Sequence, residues 1–309
     1  MAVATKIVAF ASQALLETMP FILASVAIAA GAKASGADAF IAKAFQGRTS
    51  TMIVFAALMG ALSPFCSCGV IPLIAALLAM GVPLAPVMAF WLASPIMDPS
   101  MFVLTTGVLG TEFAIAKTLA AIGLGLLGGA GIAAITRAGF LSNPLREGIG
   151  NGGCGASSIR APKPIVWTFW QEEKRRGVFA KDGLKNLLFL GKWLTLAFVL
   201  EAIMLQYVPA DFVVKAVGGD GWIPVVVATF VGVPAYLNGY AALPLVGGLV
   251  EQGMAPGAAM AFLVAGGVTS IPAAIAVFAL SRFPLFLSYI VFALAGSLAA
   301  GALFGLIAV

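Results

Sequence analysis

Long apolar runs separated by short polar links cover most of this chain. One run spans residues 7–30 and another spans 113–136. Each is long enough to cross a bilayer as an α-helix, which takes about 20 residues. The runs 71–80 and 87–93 are too short to cross alone. The pattern predicts an all-α polytopic membrane protein with broken helices, in which half-helices form re-entrant hairpins at the membrane midplane.

The composition excludes several other classes of protein. Hydrophobic residues make up 61% of the 309 residues and charged residues only 9%, and a soluble chain could not cover that much apolar surface. Histidine is absent, and the three cysteines lack an extracellular spacing pattern, which argues against imidazole chemistry and a disulfide framework. No nucleotide-binding G-x-x-x-x-G-K-[ST] sequence occurs. We expect a transporter rather than an enzyme, with no cofactor and no bound metal.

A break interrupts the apolar pattern at residues 63–73, which read S-P-F-C-S-C-G-V-I-P-L. Proline removes a backbone donor and clashes with the preceding turn, so a continuous helix cannot form here. In hydrocarbon, each freed backbone group must be satisfied by protein or trapped water. We therefore expect the break to lie inside the helix bundle and to line a site.

Cys66 and Cys68 lie on this break, with Ser67 between them. In an unwound segment both sulfurs can turn towards one soft centre. Thiolates select soft ions such as copper(I) and zinc, and the same softness extends to trivalent arsenic, whose mono-organic form has two positions for sulfur. The pattern predicts substrate-binding residues here. The alternative is that these cysteines are small buried hydrophobes.

Three carboxylates fall at predicted membrane depth: Glu17 in the first span, Asp98 between two prolines, and Glu201 in the span 187–207. An acidic residue at the centre of a membrane helix costs about 2.5–3.5 kcal/mol, so such residues face the interior and are functional by default. We predict that one of them carries the coupling proton. For Glu17 the alternative is a hydrogen-bonded structural carboxyl. Asp98 can also cap the helix that follows it, and its two roles are compatible.

The second half of the chain repeats the first at a constant spacing. Gly60 reappears as Gly232 and Pro72 as Pro244, each 172 positions later. We call this spacing the repeat interval. Glycines and prolines shared at one constant spacing indicate an internal repeat. The link after the first span carries more Lys and Arg than its counterpart, which places the two links on opposite sides of the membrane. The prediction is an inverted repeat, the architecture of many secondary transporters, whose site lies at broken helices near the midplane.

The counterpart of the cysteine break in the second half is the segment 234–239, which reads P-A-Y-L-N-G. If the two breaks face each other, Tyr236 and Asn238 join the thiols as substrate-binding residues. In the same way, Asp98 is expected to face residues 269–272.

A basic segment separates the two halves. Nine of the seventeen Lys and Arg residues fall between Arg137 and Lys185, and the positive-inside rule assigns such a segment to the cytoplasm. We predict a first transmembrane repeat over 1–136, a flexible linker over 137–183 and a second transmembrane repeat over 184–309. Cys154 in the linker is either a sensing thiol or incidental.

The sequence P-F-C-S-C-G-V-I-P-L, the later S-P-I-M-D-P-S-M-F and the two similar halves around a basic loop resemble the predicted-permease (DUF318-like) family over nearly the whole chain. Characterised members of that family include the efflux permease for trivalent organoarsenicals. The resemblance implies an inner-membrane permease that exports methylarsenite and aromatic arsenicals by proton exchange, with Cys66 and Cys68 at the matching motif positions. Asp98 stands where an uncharged Asn is expected in the family.

Two other functions stay open. One is a permease for another small solute, such as a sulfur-containing anion or a soft metal ion, in which helix N-termini and Asn238 matter more than the thiols. The other is a membrane subunit of a larger assembly, with the loop 137–183 as its docking surface. The expected partners are a small-molecule substrate and membrane lipid, with no nucleic acid. The oligomeric state stays open, a homodimer included.

Overall fold

The computed structural model confirms the all-α class. It describes residues 2–35, 48–63, 70, 73–74, 77–78, 82–141, 145, 166, 168–207, 221–235, 239–251 and 253–308. Within these ranges no β-strand forms beyond isolated bridges, one of them between Leu145 and Ser281.

Eleven α-helices are defined in the described ranges, and we number them in chain order. They are α1 (Ala2–Ser35), α2 (Thr49–Ala61), α3 (Leu84–Ala93), α4 (Pro99–Leu109), α5 (Thr111–Arg137), α6 (Glu173–Tyr207), α7 (Trp222–Ala235), α8 (Gly239–Glu251), α9 (Pro256–Thr269), α10 (Ile271–Leu280) and α11 (Phe283–Ile307). A short 3-10 turn, Phe169–Gln171, precedes α6. We call α1–α5 the first half and α6–α11 the second half.

Two helices in the described part of the chain are long and apolar enough to cross a membrane by themselves. These are α5, with 27 residues, and α11, with 25 residues. A third crossing results if α9 and α10, bent by 42° at the break between them, are counted as one span. The helices α2, α3 and α4 have 13, 10 and 11 residues, which is the length of half-helices. The chain is therefore a membrane protein that combines full spans with short apolar helices.

Small residues let α5 pack closely against α2 and α3. A Cβ atom on Gly129 would lie 2.7 Å from the side chain of Ile53 and 3.2 Å from the carbonyl oxygen of Ala85. On Gly125 it would lie 3.0 Å from Ala57. Small residues at such contacts allow membrane helices to approach at backbone distance. Because Gly125 precedes Gly129 while Ala57 follows Ile53, α2 and α5 run antiparallel, and the end of α2 lies towards the first residues of α5.

The second half packs in the same way. A Cβ atom on Gly301 of α11 would lie 2.6 Å from the Cβ of Ala261, 2.7 Å from the carbonyl oxygen of Gly257 and 3.0 Å from Val225. Each of these three residues stands 172 positions after a residue that Gly129 contacts in the first half. The repeat interval predicted from the sequence therefore also relates contacts between helices.

Helix boundaries recur at the repeat interval as well. The first residues of α6, α7, α9, α10 and α11 match those of α1, α2, α3, α4 and α5 at this interval, either directly or shifted by a single position. The two halves thus contain these five helices in the same order. Their inverted orientation in the membrane stays a prediction.

The helix α6 begins inside the segment predicted as a linker. It starts at Glu173 and continues without a break to Tyr207. The guanidinium of Arg175 fixes this start, because it donates to the carboxylate of Glu172 at 2.7 Å and to the carbonyl oxygen of Ala34 at 2.9 Å. The start of α6 is therefore joined to the end of α1, whose last carbonyls have no partner within the helix.

Candidate functional site

Most of the site residues predicted from the sequence lie outside the described residues. These are Cys66, Ser67 and Cys68 on the first break, Tyr236 and Asn238 on the second break, and Cys154 in the linker. Glu17 and Glu201 fall within α1 and α6, but their side chains are not among the described ones. The roles assigned to all these residues stay predictions. No group of three or more His, Cys, Asp or Glu side chains that could hold a metal occurs in the described ranges.

Asp98 is the predicted site residue whose side chain the structure describes. It is the N-cap of α4: its Oδ1 accepts a hydrogen bond from the backbone N–H of Met101 at 2.8 Å and another from the hydroxyl of Ser100. Its extended backbone, with φ −138° and ψ 168°, suits both an N-cap and a residue that precedes proline. The predicted cap is confirmed. The half-buried carboxylate thus lies at the positive end of the α4 dipole.

Lys117 in α5 is a candidate residue that our interpretation of the sequence missed. Its side chain is 0% exposed, and its Nζ has no hydrogen-bond partner among the described atoms. The carboxylate of Asp98 acts on it electrostatically. A buried charge is costly unless it is paired and hydrogen-bonded. Lysine is also rare within membrane helices and marks functional sites there. Applied to Lys117, the single lysine inside the apolar run 113–136, the rule for membrane lysines would have identified this residue from the sequence.

The described helices around Lys117 add no charge of their own. The helices that contact α5 are α2, α3, α4, α9 and α11, and their ranges contain no Asp, Glu, Lys or Arg. Glu112 lies on α5 itself, near its start, and is exposed. Among the described residues, Asp98 is therefore the charged group that faces the buried ammonium.

Two buried hydroxyls in the first half also lack partners among the described atoms. They are the Oγ atoms of Ser63, which follows α2, and Ser94, which ends α3. The buried hydroxyls of Thr105, Thr229, Thr269, Ser281 and Ser297 are satisfied, because each donates to the carbonyl four residues earlier. An unsatisfied buried polar atom in a native structure calls for an explanation such as bound water or ligand. Three such atoms, on Ser63, Ser94 and Lys117, thus lie in the half that carries the cysteine break.

The equivalent positions of the second half are neutral. Tyr289 stands 172 positions after Lys117 and is also 0% exposed. Its hydroxyl donates a hydrogen bond of 2.7 Å to the carbonyl oxygen of Val268. Ser270, 172 positions after Asp98, is the N-cap residue of α10. Both halves therefore have a buried side chain in the long span and an N-cap residue at the preceding break. In the first half these two residues are charged, and in the second half they are neutral.

Comparison with known proteins supports a membrane transport role. Residues 3–306 match a family described as "Predicted permease". The chain is 34% identical over 101 residues to the UPF0718 protein YcgR of Bacillus subtilis (strain 168), which covers 33% of this chain and 34% of that protein. It is 24% identical over 283 residues to the UPF0718 protein MJ0584 of Methanocaldococcus jannaschii, which covers 75% of this chain and 76% of that protein. The match thus spans about a third of the Bacillus relative's length and three quarters of the archaeal one's. No solved structure matches the chain.

Proposed function

The chain belongs to the predicted permease family, and we propose that it is a multi-pass inner-membrane permease that exports trivalent organoarsenicals by proton antiport. Its substrates would be methylarsenite and aromatic arsenicals. A permease moves its substrate without changing it, so the protein is a transporter rather than an enzyme.

The observation that carries this proposal is the Cys66-Ser67-Cys68 sequence that follows Ser63 at the end of α2. In the proposed binding step, each thiol replaces one hydroxyl of a mono-organic arsenic(III) species. Two As–S bonds form, two As–O bonds break, and each thiol proton leaves with a hydroxyl as water. Arsenic stays trivalent, so the step needs no oxidant or reductant and reverses when water displaces the sulfurs.

In the proposed cycle the substrate enters from the cytoplasm, and the two halves then rock to open the site outwards. The recurrence of helix contacts at the repeat interval supports this picture, since alternating access in repeat transporters moves one repeat or bundle against another. A proton moving inwards on a carboxylate would drive the cycle.

One observation favours a second candidate function, the transport of a small sulfur-containing anion. The ammonium of Lys117 is buried and has no hydrogen-bond partner among the described atoms. Such a group attracts negative charge in a low-dielectric interior. In this case the thiols would not be substrate ligands.

Arsenical resistance of cells that lack other arsenic exporters distinguishes the two functions. Cells that express the native chain should grow in methylarsenite, and cells that express Cys66→Ser or Cys68→Ser should not, although the protein is present in the membrane. Cys154→Ser, which removes the third thiol of the chain, is the matched control and should keep full resistance. Resistance retained in the double variant Cys66→Ser/Cys68→Ser would reject the thiol site. No resistance from the native protein would favour the anion permease.

A further inference from the structure

We propose that Lys117 and Asp98 together form the proton-coupling site of this transporter, with one exchangeable proton shared by the pair. The inference rests on the proposed proton antiport and adds Lys117 to it as the partner of the carboxylate. It assigns the coupling step to two residues of the first half, in preference to Glu17 and Glu201.

The helix that Asp98 caps, α4, packs against α5, which carries Lys117. Asp98 acts electrostatically on Lys117, yet Nζ of Lys117 makes no hydrogen bond among the described atoms. The Asp98 carboxylate is held by the backbone N–H of Met101 and by the hydroxyl of Ser100. Because the two groups form no direct hydrogen bond, a proton can bind one of them without first breaking a hydrogen bond between them.

The helices around Lys117 add few ionisable groups in the described part of the chain. The helices packed against α5 contribute no charged residue from their own ranges, and the ionisable group that α11 adds is the phenol of Tyr289. That phenol is already bound to the carbonyl oxygen of Val268. Glu112, on the same helix as Lys117, is exposed. The interaction between unit charges is several times stronger inside protein than in water, so gain or loss of one proton by the pair changes the electrostatic energy of Lys117 substantially.

Comparison of the two halves argues against a purely structural role for the charges. At the equivalent positions Tyr289 and Ser270 serve the same kind of helix junction without charge. Tyr289 is as deeply buried as Lys117 and finds a hydrogen-bond partner. The packing of the fold is therefore compatible with neutral residues here. A transporter that keeps a costly buried ammonium in one half gains a site that can change charge.

Protonation of Asp98 would also change the local structure. The carboxylate caps the first turn of α4, and hydrogen bonds to an ionised acceptor are roughly twice as strong as neutral ones. A proton on Asp98 weakens the bond from Met101 and removes the negative charge that acts on Lys117. Both effects act on the break between α3 and α4, residues 94–98. In this way proton binding can shift the balance between two conformations of the first half.

Purified protein in proteoliposomes separates coupling from transport. Two quantities are measured: exchange of methylarsenite at equal concentration on both sides, and its accumulation against a gradient of one pH unit. With one proton exchanged per substrate, such a gradient supports about tenfold accumulation. We expect the native protein to reach it, and Lys117→Met and Asp98→Asn to lose accumulation while exchange continues. The matched control is Lys192→Met, which removes an exposed lysine of α6 and should keep both.

A second variant covers the case in which Lys117→Met folds poorly. Lys117→Tyr combined with Asp98→Ser places the residues of the second half at the equivalent positions of the first. This double variant should fold and should exchange methylarsenite, but it should not accumulate methylarsenite against the gradient. Full accumulation by Lys117→Met, by Asp98→Asn or by the double variant would overturn the inference and leave the proposed function intact.

A native protein that neither exchanges nor accumulates methylarsenite would instead reject the proposed substrate. The pair is then tested without substrate, from the melting temperature of the purified protein as a function of pH. The native profile should contain a proton-linked change that the double variant lacks. Identical profiles would reject the pair.

Discussion

The hydroxyl of Tyr289 in α11 donates a hydrogen bond of 2.7 Å to the carbonyl oxygen of Val268 near the end of α9. In a continuous helix this carbonyl would accept from the N–H of the residue four positions later, which here is Pro272. Proline has no N–H to donate. The ring of Tyr289 also packs 5.8 Å from that of Trp91 in α3, so one side chain supports the break in the second half and contacts the first half.

Replacing Tyr289 by Phe should destabilise the protein. The substitution keeps the ring contact with Trp91 but leaves the buried carbonyl of Val268 without this donor, which costs about 1–3 kcal/mol. The free energy of unfolding in detergent measures the effect. Ser288→Ala is the neighbouring control, because the Ser288 hydroxyl donates within its own helix, to Pro284, at an exposed position. Equal stability of Tyr289→Phe and the native protein would show that water or another donor replaces the hydroxyl.

Two glycines related by the repeat interval should be equally intolerant of a side chain. Gly129→Ala and Gly301→Ala each place a Cβ within 2.7 Å of a neighbouring atom, closer than packed atoms approach without movement, and overpacking of this kind costs about 1–3 kcal/mol. Gly123→Ala on α5 is the control, since its Cβ would meet nothing within 4 Å. Alanine is the better helix former by about 1 kcal/mol. The melting temperature should fall for the first two variants and hold or rise for the third. A rise for all three would contradict the close packing.

Asp98 should show two separable roles. Asp98→Ala removes the cap of α4 and should cost about 0.5–2 kcal/mol, whereas Asn caps helices about as well as Asp. Thermal unfolding should therefore show the largest loss of stability for Asp98→Ala, with Asp98→Asn between it and the native protein, because Asn keeps the cap geometry but loses the charge-assisted bond from Met101. If the carboxylate also couples proton movement, both variants lose proton-driven accumulation. A variant Asp98→Asn that is as unstable as Asp98→Ala would mean that the charge, rather than the cap geometry, stabilises this junction.

The sequence was sufficient to predict features that arise from long patterns or from local backbone chemistry. The all-α class follows from the apolar runs, and the cap at Asp98 follows from its position before Pro99. The repeat interval, inferred from shared glycine and proline positions, also relates the contacts of Gly129 and Gly301.

The sequence patterns did not predict contacts that depend on which face of a helix packs against a neighbouring helix. A window average hides one lysine among apolar residues, and only packing shows that Lys117 points into the bundle and has no partner among the described atoms. The hydrogen bond from Tyr289 to Val268 joins residues 21 positions apart in two helices, so no local sequence pattern predicts it. The segment 137–183, predicted as a linker, includes the start of α6 at Glu173, where Glu, Lys and Arg are good helix formers.

The most direct test of the central claim is uptake of methylarsenite into everted membrane vesicles, with and without a proton gradient. The native chain is compared with Cys66→Ser/Cys68→Ser and with Cys154→Ser. The account predicts gradient-dependent accumulation by the native chain and by Cys154→Ser, and none by the double variant. Accumulation by the double variant, or none by a folded native chain, would contradict export of arsenicals through a dithiol site.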